Sequence, residues 1–386
     1  MIPFNKPLIT DQEKEYIMDA LNRAHISGGG YYTKKAEAII ERTFGAYKVL
    51  LTTSCSSALD MSAILLGLKA GDEVILPSYT FVSTANAIML RGATPVFAEI
   101  QEDTLNINPE DILRKITLKT KAIYPIHYGG IACDMESIMQ IAEEYSLKVV
   151  EDAAQGVNVK YQGKYLGTIG DIGCYSFHET KNYSCGEGGA LLINVNDQKL
   201  FERAEIIREK GTNRSQFYRG EVDKYTWVDM GSSYVPSDIL ASLLCAQLEK
   251  MDEIKNKRRE IFNYYYNELE GLEKEGYLKR QAIPEGYDSN YHMFYILLNS
   301  EKERDQVLGR LKEKGIKAAF HYIPLHISPM GKKLGYRLGD LPVTEAVSSR
   351  LLRLPMYFEL TKTEQDYIID SLYAVLKPRK FAQKHA

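Results

Sequence analysis

The chain has 386 residues, 45% of them hydrophobic and 26% charged, with a formal net charge of -3. That length suits two domains at about 100 to 200 residues each, and the composition is that of a folded globular protein. The charge balance excludes a general attraction for nucleic acid or for an anionic membrane, so an anionic ligand has to be held by a local site.

In chain order, short apolar and β-branched runs alternate with helical patterns, as in a mostly parallel sheet with crossover helices. Strands are expected at Lys48–Thr52, Glu73–Pro77, Thr94–Ile100, Ala122–Pro125, Lys148–Asp152, Ile172–Ser176 and Gly189–Ile193. Between them, Ser56–Leu68 and Met135–Tyr145 repeat apolar residues at three and four, the helical spacing. From Ser237 to Leu272 a long helical pattern turns from apolar (Ile239, Leu240, Leu243, Leu244) to charged (Lys255, Lys257, Arg258, Arg259), as a connector between two cores would. A strand at Tyr295–Leu298, a helix at Glu301–Lys314, a strand at Ala318–Tyr322 and a helix at Thr361–Val375 complete the pattern. The expectation is an α/β domain with a mostly parallel seven-stranded sheet over residues 1–250 and a small α+β domain over 251–386. The basic tail from Lys377 onward reads as a solvated terminus.

Cys55, Cys133, Cys174, Cys185 and Cys245 are scattered without a C-x-x-C pair, so neither a disulfide framework nor a zinc knuckle is expected, and reduced thiols suit the cytoplasm. No charged and then apolar leader opens the chain, and no apolar run approaches the roughly 18 residues that span a bilayer. Neither secretion nor membrane insertion is expected. There is no G-x-x-x-x-G-K-[ST] loop, and Gly28-Gly29-Gly30 follows a helical pattern where a dinucleotide fingerprint follows a strand. His321 and His326 are five apart with Pro324 between them, which suits satisfied loop histidines or substrate contacts and does not suit a metal site.

The chemistry concentrates at strand ends. Asp152, in Glu151-Asp152-Ala153-Ala154-Gln155, closes one strand, and Lys181 follows another, ahead of the turn Gly186-Glu187-Gly188-Gly189. A carboxylate that keeps a pyridine nitrogen protonated and an ε-amine that condenses with an aldehyde are the two anchors of a pyridoxal phosphate ring. Gln155 is placed to meet the ring's phenolic oxygen. Ser54, Cys55 and Ser56 lie between a strand and a helix, where unpaired amides form a cup for phosphate, and Ser176 adds a hydroxyl. Phe81 follows the strand ending at Pro77 and is placed to stack on the ring. Taken singly, each has a plainer reading: a surface lysine, a capping aspartate or serine, a loop amide, a core phenylalanine. It is their combination that points to a cofactor.

Ser176-Phe177-His178-Glu179-Thr180-Lys181, Glu151 to Gln155, the Gly186 to Gly189 turn and His321-Tyr322-Ile323-Pro324-Leu325-His326 together resemble the motifs of the DegT/DnrJ/EryC1/StrS aminotransferases. The likeness runs from Ile2-Pro3-Phe4 to Arg353-Leu354-Pro355. It implies a fold-type I pyridoxal phosphate enzyme, a homodimer with shared active sites, L-glutamate as amino donor and a sugar-nucleotide ketone as acceptor. It further implies that His178, His321, Tyr322 and His326 meet the sugar nucleotide. His178 to Tyr183, Arg208 to Phe217 and Asp223 to Trp227 bring the likeness nearest to the branch that aminates dTDP-linked 4-keto-6-deoxy sugars for surface polysaccharides. A different sugar, nucleotide or product stereochemistry within the family is the main alternative, and a non-catalytic regulatory protein a more distant one.

Two positions depart from the family pattern, Ser233 and Val235, the second standing where many members have an arginine. Ser233, in Gly231-Ser232-Ser233-Tyr234, stands where many members have an asparagine that reaches the phosphate of the neighbouring subunit's cofactor. No arginine is marked for the donor's carboxylates. Lys210 and Arg214 are candidates in a charged loop that is equally well read as ordinary surface.

Overall fold

The computed structural model describes residues 1–377; the basic stretch from Pro378 to Ala386 lies outside them. Seven strands form the main sheet: β1 (Lys48–Thr52), β2 (Glu73–Pro77), β3 (Thr94–Ala98), β4 (Thr120–Ile123), β5 (Lys148–Asp152), β8 (Ile172–Ser176) and β9 (Gly189–Ile193), with a small hairpin of β6 (Lys160–Tyr161) and β7 (Lys164–Tyr165) between β5 and β8. Their order across the sheet is β1-β9-β8-β5-β4-β2-β3. Only β9 runs against the rest, pairing antiparallel with both β1 and β8.

These residues form strands because the sheet is covered on both faces, which selects nearly continuous apolar runs. Along β1 and β9 the side chains alternate between two cores: Leu50, Leu191 and Ile193 enter one with helices α3 (Cys55–Leu65) and α4 (Val82–Met89). Val49, Leu51, Ala190 and Leu192 enter the other, with α2 (Tyr31–Phe44) and the helix Asp238–Leu248. Truncating one such leucine to alanine costs about 2 to 5 kcal/mol.

A third core lies around the antiparallel sheet of β10 (Lys279–Arg280), β11 (Tyr295–Leu297) and β12 (Leu351–Arg353). Phe262, Tyr265, Ile296, Leu311, Ile368 and Leu372 pack there, and so does Ile2 from the other end of the sequence. The Ile2 amide donates to the Gly315 carbonyl at 2.8 Å, so the amino-terminal segment is stitched to this core.

Three expectations change. The pattern over Ser237 to Leu272 is divided into helices Asp238–Leu248, Met251–Glu268 and Glu270–Lys274. The first break falls at Lys250, whose ammonium is drawn aside to the Thr10 hydroxyl and the Glu13 carboxylate. Ala318 to Tyr322 is not a strand: only Ala319 pairs, with Arg353, and the chain then turns His321 and Tyr322 toward a cavity. The segment expected to pair through Ile100 stops as β3 at Ala98, because Ile100 leaves the sheet to bridge Ile107.

Candidate active site

At the carboxyl ends of the parallel strands, and the beginning of the reversed β9, the sheet opens on a cavity of about 480 Å³. This is the edge at which open α/β sheets hold ligands. The cavity wall includes Ser54, Cys55, Ser56, Phe81, Asp152, Gln155, Ser176, His178, Lys181, His321 and Tyr322. Folding thus gathers these residues from four strand ends and from a segment beyond residue 320.

Ser54 caps α3, its hydroxyl accepting from the Ser57 amide at 3.1 Å. The Cys55 and Ser56 amides have no protein acceptor among the described residues, and they sit at the positive end of an eleven-residue helix. Gly189 makes the cup possible: a Cβ there would lie 2.4 Å from the Cys55 amide nitrogen, so only glycine lets β9 start this close to the helix. Ser56 and Ser83 join their hydroxyls at 2.6 Å across the cup.

Asp152 ends β5 buried. Its Oδ2 accepts from the Thr84 hydroxyl at 2.7 Å and its Oδ1 from the Ala154 amide at 3.1 Å, so both oxygens are oriented. Gln155 accepts from the Gly129 amide at 2.7 Å and donates to the Tyr322 hydroxyl at 3.3 Å. Phe81 is 56% exposed where it begins α4, with its ring centroid 6.3 Å from that of Tyr322.

Lys181 lies on a loop tied down on either side of it. Phe177 donates its amide to Gly188, and Glu179 donates to Gly186, each at 2.8 Å. Next to the lysine, Asn182 donates to the Asn290 carbonyl at 2.7 Å, and Tyr183 is buried with its hydroxyl on the Met251 carbonyl. Among the described residues nothing hydrogen-bonds or ion-pairs with the Lys181 ammonium. Burial holds its pKa below the ordinary lysine value; nearby Cys55 and Asp152 oppose the shift and the Arg353 guanidinium adds to it. The shift is toward the neutral, nucleophilic amine.

His178 stands beside the lysine with Nδ1 at 2.9 Å from the Thr180 hydroxyl. His321 Nδ1 is 2.9 Å from the Tyr128 hydroxyl. Burial, followed by the charges of Arg353 and Lys181, pushes the His321 imidazole well below its usual pKa, so this side of the cavity is lined by a neutral ring.

Two expected residues are elsewhere. His326 is 0% exposed and does not line the cavity: its Nδ1 meets the Ser78 hydroxyl at 2.7 Å and its Nε2 the Glu345 carboxylate at 3.0 Å. Both ring nitrogens are used within the protein, which corrects its assignment to the substrate. Ser233 is exposed, its backbone bridges Glu209, and it does not line this chain's cavity. Lys210 and Arg214 are exposed as well and take no part in the cavity wall.

Other wall residues carried no individual signal in the sequence. Thr84, His292 and Arg353 line the cavity or orient its acid. The one available hint was an arginine interrupting the apolar run Leu351-Leu352-Arg353-Leu354.

The donor set fits pyridoxal phosphate, with an unpaired buried amine, an oriented carboxylate and unpaired helix amides facing one space. The group supplies an aldehyde that condenses with amines and a ring that withdraws electrons from the carbon next to them. Ser54, Cys55 and Ser56 would hold its phosphate, Asp152 its ring nitrogen, Gln155 its phenolic oxygen, and Lys181 its aldehyde carbon. Among the described residues no group of three or more histidines, cysteines or acids is placed to hold a metal ion, and no helix is long and apolar enough to cross a membrane.

The reversed β9 in a parallel sheet, with a lysine and an acid at its carboxyl edge, defines a fold-type I pyridoxal phosphate enzyme. The chain belongs to the DegT/DnrJ/EryC1/StrS aminotransferase family, whose family model matches residues 7–373, and it is a pyridoxal phosphate-dependent sugar aminotransferase. It is 36% identical to MJ1066, an uncharacterised protein of Methanocaldococcus jannaschii, over 97% of both chains. It is 33% identical to the GDP-perosamine synthase of Escherichia coli O157:H7, over 96% of this chain and 97% of that one. Among solved structures, the PMP form of Spr1654 from Streptococcus pneumoniae, a sugar aminotransferase by name, superposes with a TM-score of 0.92 at 27% identity, covering 98% of this chain and 99% of that one.

Proposed function

We propose that the chain moves the amino group of L-glutamate to C4 of dTDP-4-keto-6-deoxy-D-glucose, giving dTDP-4-amino-4,6-dideoxy-D-galactose and 2-oxoglutarate for a surface polysaccharide. The observation that carries the reaction type is Lys181, unpaired and biased to its neutral form, in the same cavity as Asp152. Asp152, held by Thr84 and the Ala154 amide, keeps a proton on the ring nitrogen. Lys181 takes a proton from the donor's reacting carbon and, in the second half of the cycle, returns one to the acceptor's. Neutral His321, with Tyr322 and His178, lines the side of the cavity open to a sugar.

The particular acceptor rests on the likeness of His178 to Tyr183, Arg208 to Phe217 and Asp223 to Trp227 to the C4-amino-galactose branch. A homodimer is part of the same reading. It is supported by the exposed face around Ser233, where Tyr225 (52%), Trp227 (78%) and Val228 (51%) stand in solvent in the single chain. A second copy covering them would bring Ser233 toward the partner's cofactor phosphate.

The test is to incubate the purified protein with glutamate and then with dTDP-, UDP- and GDP-linked 4-keto-6-deoxy sugars, reading the cofactor's visible band and the product by NMR. Bleaching by glutamate, recovery with the dTDP sugar, and ring coupling constants of an axial C4 amine are expected. An equatorial amine, or preference for another nucleotide, moves the chain to a sister activity. No response to glutamate removes the donor assignment.

A further inference from the structure

Tyr79, just after β2, and Tyr128, just after β4, are both fully buried, and their hydroxyls meet each other at 3.4 Å. Tyr128 has a second partner, the Nδ1 of His321 at 2.9 Å. Among the described residues the Tyr79 hydroxyl has no other, so its proton has one acceptor within reach, the Tyr128 oxygen. Burial pushes both phenols above their ordinary range, and both keep their protons.

That count sets the direction of the chain. A buried hydroxyl proton without an acceptor is costly, and one arrangement avoids it: Tyr79 donates to Tyr128, and Tyr128 donates to His321 Nδ1. Were Nδ1 the donor, Tyr128 would have to turn its proton on Tyr79, and the Tyr79 proton would be stranded. The His321 ring is held neutral and carries a single N–H, which with Nδ1 accepting is on Nε2. Tyr128 stands behind the cavity wall and His321 is part of it, with no protein partner for Nε2 among the described residues. This stretch of wall therefore offers a neutral donor.

His321 is close enough to Lys181 for the ammonium's charge to act on it, and the acceptor's reacting carbon has to lie beside that lysine. The ketone oxygen on this carbon only accepts hydrogen bonds, whereas the ammonium that replaces it only donates. A donor edge thus favours substrate over product, and a neutral imidazole polarises a carbonyl while keeping its own proton.

We propose that Tyr128 is a positioning residue: backed by Tyr79, it holds His321 in the Nε2–H tautomer, whose N–H receives the keto oxygen of the acceptor sugar and disfavours the amine of the product. This deepens the keto-sugar reading and rests on it.

NMR of the holoenzyme with nitrogen-labelled histidine reads the tautomer directly, the His321 signal being the one lost in His321→Ala. An Nε2–H ring is expected in the wild type and a mixture of tautomers in Tyr128→Phe; an Nδ1–H ring in the wild type overturns the proposal. Tyr128→Phe, checked for folding by thermal unfolding, is expected to lower kcat/KM for the keto-sugar roughly 5-fold and to bind the amino-sugar product more tightly. Bleaching of the cofactor band by glutamate keeps its wild-type rate. A packing defect would weaken substrate and product alike, and that result overturns the proposal. In a His321→Ala background Tyr128→Phe is expected to cost nothing further, so an undiminished loss there also overturns it. A wild type that prefers the UDP- or GDP-linked sugar removes the dTDP reading, and the same comparison with that sugar then decides Tyr128. One that aminates none of the three overturns the keto-oxygen contact along with the acceptor reading.

Discussion

Thr84 donates its hydroxyl to Asp152 Oδ2 at 2.7 Å, one turn into the helix that Phe81 begins. The acid of the active site is thus oriented by a residue from a different crossover, and the helix that Phe81 begins also carries the group that aims the carboxylate.

Replacing Thr84 by valine keeps the shape and removes the donor. A hydrogen bond to a charged group contributes about 1.5 to 3 kcal/mol, so cofactor affinity is expected to fall roughly 10-fold or more, with Thr84→Ser close to wild type. Fluorescence titration of the stripped protein with pyridoxal phosphate measures it; equal affinity for wild type and Thr84→Val would show that Asp152 needs no such support.

Lys181 binds its proton less tightly in the folded protein than in the unfolded chain, chiefly because it is buried. Stability therefore rises with pH as this proton is lost, up to the ordinary lysine range. In cofactor-free protein, Lys181→Met is expected to be more stable than wild type at neutral pH, with the gap closing as pH increases. Thermal unfolding across pH checks this, and a constant gap would mean that the lysine's proton is not strained.

Glu13 is 0% exposed and accepts from Gln247 at 2.8 Å and from Lys250 at 2.5 Å, tying the helix Asp11–Asn22 to the break after Leu248. Burial raises its pKa, but the hydrogen bonds from Lys250 and Thr10 together outweigh that and hold it down to about 2. Because the folded value lies below the unfolded one, the contribution is complete above the ordinary carboxylate range and is lost as pH falls toward about 2. Glu13→Gln should cost about 3 kcal/mol at neutral pH and show a shallower acid limb in denaturant titrations.

His326 and His321 should separate cleanly. His326→Ala leaves Ser78 and Glu345 without their partner and is expected to lose about 2 kcal/mol of stability, with KM for the keto-sugar little changed. His321→Ala is expected to unfold near the wild-type temperature and to lose on the order of 10-fold in kcat/KM, about one lost polar contact. Steady-state kinetics alongside thermal melts distinguish the two; an acceptor KM that rises only in His326→Ala would reverse the assignment.

Much of this architecture can be read without coordinates. The strands of the main sheet are legible because burial on both faces leaves apolar runs such as Val49-Leu50-Leu51 and Ala190-Leu191-Leu192-Ile193, a local signal. The candidate anchors are legible because Asp152 and Lys181 follow those runs within a few residues and sit in dense local motifs. The failures share a cause. Ala318 to Tyr322 has strand-like residues, yet its pairing depends on β12, more than thirty residues later, which offers only Arg353 as a partner.

The sequence by itself determined the sheet, the lysine and the acid, since strand formation and motif spacing are properties of contiguous residues. Only the tertiary structure decided which of two histidines five residues apart faces the cavity, that Thr84 aims Asp152, and that Arg353 stands there without a counter-ion. Those facts depend on which side chains from distant elements meet, and on what is missing around them, and neither is written in any local stretch of the chain.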